Sequence, residues 1–173
     1  MMRIVIRLLF FASLFNIFPL ANGRAMEKDS LNPEQVIYEL YDLVTIRKGS
    51  TGDWESVRKL FIDEAVIVLR TSREGTTVFS LDGFIDDFVN FVANYNIKET
   101  GFTEKIISIK PWVFGDMAHV LVLYEASIPG SGRPPQQGVD SFLLIRKEGS
   151  WKVAAITNEI PTPERPVPDE LLK

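Results

Sequence analysis

The chain has 173 residues, 19 lysines and arginines against 23 aspartates and glutamates, one histidine and no cysteine. Without cysteine there is no disulfide, thiolate metal site or thiol nucleophile. With His119 alone, a histidine-rich zinc site and a Ser-His-Asp triad are poorly provided for. The acidic balance, net −4, argues against nucleic acid and anionic membrane as partners.

The chain opens with a basic Met1–Arg7, an uncharged apolar run over 8–23, and the small residues Ala21, Gly23 and Ala25. These are the parts of a secretory signal, with residues 1–25 removed on export to the periplasm or the outside. The run is too short for a bilayer core, which needs about 20 apolar residues. Three arginines and no acid leave with it, so the remaining 148 residues carry a net −7 and fit one domain with a core of its own.

Asn32-Pro33-Glu34 is a helix start, and Ile37, Leu40, Tyr41 and Val44 recur at helical spacing up to Lys48-Gly49. Asp53 caps a second helix with Trp54, Val57, Leu60 and Phe61 on its apolar side. Residues 65–69 read as a strand, Arg73-Glu74-Gly75 as a turn and 76–79 as a short strand. Ser80 caps a third helix, in which Phe84, Phe88, Phe91, Val92 and Tyr95 form an apolar stripe. From Phe102 the chain reads as four long strands at about 102–114, 116–126, 138–147 and 151–160. The expectation is an α+β fold: three N-terminal helices packed on a strongly bent, mostly antiparallel sheet. Domain limits are 26–160, followed by a proline-rich tail over 161–173 that is expected to lie on the surface or fray.

The order of elements resembles the nuclear transport factor 2-like (SnoaL-like) superfamily. So do three phrases: Asp53-Trp54 leading through Leu60-Phe61 to Ala65-Val66, Gly115-Asp116-Met117-Ala118-His119-Val120, and Gly149-Ser150-Trp151-Lys152-Val153. The resemblance implies a cone in which the sheet wraps the first helix around a pocket. It does not fix a function, because the superfamily holds isomerases, dehydratases, epoxide hydrolases and non-catalytic domains.

A turn over Lys147–Ser150 that pairs Arg146 with Lys152 sets Ile145 opposite Val153, Phe142 opposite Ile156 and Asp140 opposite Asn158. A plausible register for the preceding pair sets Tyr124 opposite Asp140 and Val122 opposite Phe142. Alternation then gives one face Ala118, Val120, Val122, Tyr124, Asp140, Phe142, Leu144, Ala154, Ile156 and Asn158. Tyr124, Asp140 and Asn158 form a polar row at the end of an apolar surface, a ligand-site pattern, with Phe142, Ile156 and Val122 as its apolar lining and Tyr41 and Trp54 at the mouth. The expected ligand is small and apolar, with no cofactor and no metal.

Three functions stay open: an exported binding domain; a lyase or isomerase with Asp140 as base and Tyr124 or Asn158 as hydrogen-bond donor; and an assembly domain. The opposite face carries Met117, His119, Leu121, Leu143 and Trp151 and is almost as apolar. Something must cover it, and the resemblance implies a homodimer through that face.

Overall fold

The computed structural model describes residues 31–71 and 74–173. The signal segment, and part of the turn at Arg73, lie outside the described residues. The element order is α1 (Pro33–Val44), α2 (Trp54–Lys59), β1 (Phe61–Arg70), β2 (Thr76–Ser80), α3 (Leu81–Asn94), α4 (Ile97–Thr100), β3 (Thr103–Phe114), β4 (Met117–Ser127), β5 (Gln136–Lys147) and β6 (Ser150–Glu159), with a 3-10 turn at Asp169–Leu171. The six strands form one sheet in the order β2-β1-β6-β5-β4-β3. All neighbours are antiparallel except β1 and β6, which run parallel.

Local chemistry explains where the helices start. The Asn32 side chain accepts from the Gln35 amide at 2.9 Å, and the Gln35 side chain accepts from the Asn32 amide at 2.8 Å, a reciprocal capping box at α1. Asp53 and Ser80 cap α2 and α3 through the amides of Ser56 and Gly83. Leu60 and Phe61 do not belong to α2: the helix stops at Lys59, and Phe61 opens β1. The one-turn α4, absent from the sequence reading, is entered through Asn96 in the left-handed region (φ 53°), a conformation Asn tolerates better than most residues.

The α1 face of Val36, Ile37, Leu40, Tyr41 and Val44 is buried with the inner sheet residues Val120, Val122, Phe142, Leu144, Val153 and Ile156. A second, smaller cluster, Ile46, Val92, Ile97 and Phe102, joins α3 and α4 to the start of β3.

Two registers differ from expectation. The β5–β6 hairpin turns on two residues, Glu148 (φ 53°) and Gly149 (φ 79°), so Arg146 pairs with Trp151 and Ile145 with Lys152. Both turn residues sit at positive φ, as a tight primed turn demands. An irregularity between Leu143 and Leu144 then absorbs the offset, and the outer pairs fall as read: Phe142 opposite Ile156, Asp140 opposite Asn158. The bulge turns Trp151 and Val153 inward; they are 5% and 0% exposed and belong to the core, so Trp151 is not on the outer face. Between β4 and β5 the register is two residues away: Val122 faces Asp140, Val120 faces Phe142 and Tyr124 faces Gly138. A shift of two preserves the face of every side chain.

The tail does not fray. Its 3-10 turn packs on β3 and β4, and Leu171 is buried. Lys110 on the outer face donates to the Lys173 carbonyl at 3.0 Å, and Leu123, outward by alternation, is fully buried. The tail therefore crosses the outer face and covers part of it. Trp112, Phe114, Met117, Leu143 and Ile145 stay exposed beyond it.

Candidate functional site

The polar row forms, and it gains a member from α1. Asp140 on β5 accepts at Oδ2 from the Tyr41 hydroxyl at 2.6 Å and at Oδ1 from the Asn158 amide at 2.6 Å. The same Asn158 Nδ2 donates to the Tyr124 hydroxyl at 3.1 Å. The Tyr41 and Tyr124 rings lie 5.8 Å apart. Sequence reasoning set Tyr41 at a pocket mouth; in the structure it is a buried donor that ties the first helix to the sheet.

Tyr124 reaches this position because β5 offers no side chain beneath it. A Cβ on Gly138 would stand 2.3 Å from the Tyr124 hydroxyl oxygen and 2.4 Å from Cζ, closer than any real contact. The ring lies over the glycine that its own strand pairing places opposite.

Burial dominates the electrostatics. It pushes the Asp140 carboxyl up to about 6, while the bonds from Tyr41 and Asn158 pull the other way. Burial, with the Asp140 charge next in weight, also pushes both tyrosine hydroxyls above their ordinary range. A further carboxyl, Glu104 on β3, belongs to the group. Burial, then the Asp140 charge, raises it to about 8, so it holds its proton at neutrality. Thr45, at the end of α1, accepts from the Glu104 amide at 3.1 Å and donates to its carbonyl at 3.3 Å. The signal for Glu104 was a charged residue in step with inward Ile106, on a strand the sequence reading left without faces.

The apolar lining assigned from sequence is core. Val122, Phe142 and Ile156 are 0%, 1% and 4% exposed, and Trp54 packs on Phe88 at 5.6 Å between ring centres. The open space lies one step further out, as a cleft of about 1290 Å³. Its lining includes Leu69, Ile128, Gln136 and Ile160. One wall is α3, the other the start of the tail. Asp140 and Asn158 do not line the cleft and are partly exposed; Asn158 lies two residues before Ile160, which does line it.

On the outer face, the His119 ring stacks on Trp112 at 5.7 Å and its Nε2 lies 2.8 Å from the Ser141 hydroxyl, away from the polar row. Among the described residues, no group of three or more His, Cys, Asp or Glu is placed to hold a metal ion. No helix among them is long and apolar enough to cross a membrane.

No protein-family model and no curated protein matches the sequence. Solved structures do match in shape. A nuclear transport factor 2-like protein with a cystatin-like fold from Novosphingobium aromaticivorans superposes with a TM-score of 0.59 at 14% identity, over 80% of this chain and 84% of that one. A nuclear transport factor 2-like protein of unknown function from Silicibacter pomeroyi gives 0.51 at 21% identity, over 72% and 89%. A protein from Shewanella frigidimarina, provisionally assigned as a ketosteroid isomerase, gives 0.53 at 14% identity, over 72% and 91%. With its six-stranded curved sheet and buried first helix, the chain has the nuclear transport factor 2-like fold.

Proposed function

We propose that the protein is an exported ligand-binding domain whose ligand enters at the mouth of the cone and presents a polar group to the Asp140 row. The observation that carries this reading is Asp140 itself: an inward carboxyl, partly exposed, with one oxygen on Tyr41 and the other on Asn158, which lies two residues before Ile160 of the cleft lining. Perturbed carboxyls cluster at functional sites. Because the apolar interior is filled, the ligand meets Ile128, Ile160 and Leu69 rather than Phe142 and Ile156. Export rests on the segment over 1–25. A small-molecule thermal-shift screen, followed by titration of the hits, tests the reading. Affinity should fall at least about tenfold in Asp140→Asn or Asn158→Ala. A ligand indifferent to both changes sinks it.

One observation favours a second reading, proton transfer beside a carbonyl. Asp140 at about 6 is suited to act as a base near neutral pH. The Tyr41 hydrogen is committed to Asp140, but Tyr124 accepts from Asn158, so its own hydrogen is available to a developing oxyanion. Turnover lost in Asp140→Asn with affinity retained supports this reading; unchanged turnover removes it.

The bare part of the outer face, with Met117, His119, Leu121 and Leu143 beside Trp112 and Phe114, supports a homodimer. Light scattering behind size exclusion tests it, and a monomer at micromolar concentration rules it out.

A further inference from the structure

The mouth cleft differs in chemistry from the row beneath it. Twelve of its eighteen lining residues carry hydrogen-bonding side chains. Asp87, Asn90 and Asn94 line up along one edge of α3, at the spacing that puts residues on one helix face. Opposite them, Thr162 and Arg165 bridge each other at the start of the tail, and Arg165 is fixed to Glu159 at 3.0 Å. Glu159 also holds Arg70 through both guanidinium contacts. The wall is therefore tied to the sheet.

The cleft's charges cancel: Arg70, Arg133 and Arg165 stand against Asp87, Glu159 and Glu164. That balance gives no net pull on an ion. At about 1290 Å³ the cleft exceeds the roughly 300–1,000 Å³ of a site for one small molecule. Its lining contains no residue of β2 or β3, the edge strands, so a peptide cannot add to the sheet there. What fits is long, neutral and hydroxylated. Carboxamides both donate and accept, as hydroxyls do, and Asn90, Asn94 and Gln136 supply three. Tyr95 is 61% exposed, beside Phe91 at 5.4 Å, and gives the face of a sugar ring a surface to stack on.

We infer that the cleft between α3 and the tail binds a neutral oligosaccharide, gripped by Asn90, Asn94 and Tyr95. This rests on the binding reading above and names its ligand class.

The test is a titration of the isotope-labelled protein with cellohexaose, maltohexaose and chitohexaose, read by amide NMR. At least one should give saturable shifts at Asn90, Asn94 and Tyr95. The double change Asn90→Ala with Asn94→Ala, and separately Tyr95→Ala, should weaken that sugar at least about tenfold while the rest of the spectrum is retained. Asp140→Asn should weaken the same sugar at least about tenfold, as the binding reading requires. No saturable shift with any of the three at roughly 5 mM overturns the inference, as does binding that the α3 variants leave unchanged. Sugar binding that the α3 variants weaken and Asp140→Asn leaves unchanged overturns the Asp140 reading and leaves the α3 grip standing. Failure with sugars alongside a small-molecule hit that depends on Asp140 sinks the oligosaccharide alone.

Discussion

At the scale of single residues, Gly138 and Asp140 set the terms for the site. Any side chain at 138 meets the Tyr124 ring, so Gly138→Ala should cost about 1–3 kcal/mol and break the bond from Asn158 to Tyr124. Chemical denaturation reads the cost, and the Asn158 side-chain amide signals read the broken bond. The two raised carboxyls make stability depend on pH. Asp140 moves from 3.8 to about 6 and Glu104 from 4.5 to about 8. The folded state therefore holds more protons than the unfolded one between these limits. Their contribution is complete below about pH 4 and is lost as pH rises through about 6 and then about 8. The melting temperature should rise from pH 8 to pH 5, and in Asp140→Asn with Glu104→Gln that rise should flatten. An unaltered slope in the double variant would assign the effect to the protein's net charge instead. Tyr41→Phe removes a donor that lowers Asp140, so the Asp140 carboxyl should titrate higher still by carbon NMR.

Among the elements, helix starts and strand faces were legible and irregularities were not. Asn32, Asp53 and Ser80 act through short-range hydrogen bonds, so a few neighbouring letters contain the information. The polar row came out correctly even though the β4–β5 register was two residues away, because alternation survives an even shift. An odd slip does not survive: the bulge between Leu143 and Leu144 turned Trp151 and Val153 from outer to inner face. Such a bulge depends on pairing with a strand distant in sequence, here Phe61 beside Val153 in the parallel pair, which no local pattern records. Glu104 was missed for a related reason, since its strand carries its own irregularity between Ile106 and Ser108. The cleft was invisible because it lies between α3 and a tail whose sequence shows only that proline breaks regular structure. That tail is an element in its own right. Leu171→Ala should cost about 2–3 kcal/mol and expose Leu123, read as a lower denaturation midpoint with increased binding of an apolar dye.

For the whole molecule, the parallel pairing of β1 with β6 has a consequence in time. Phe61 to Val68 find their partners at Val153 to Thr157, about ninety residues later. The β1–β2 hairpin cannot join the sheet, and α3 behind it cannot close the core, until β6 has been made. Folds governed by such distant pairings form slowly, because loop-closure entropy is met before any contact rewards it. The delay is built into the strand order, with the final seam of the sheet waiting on β6.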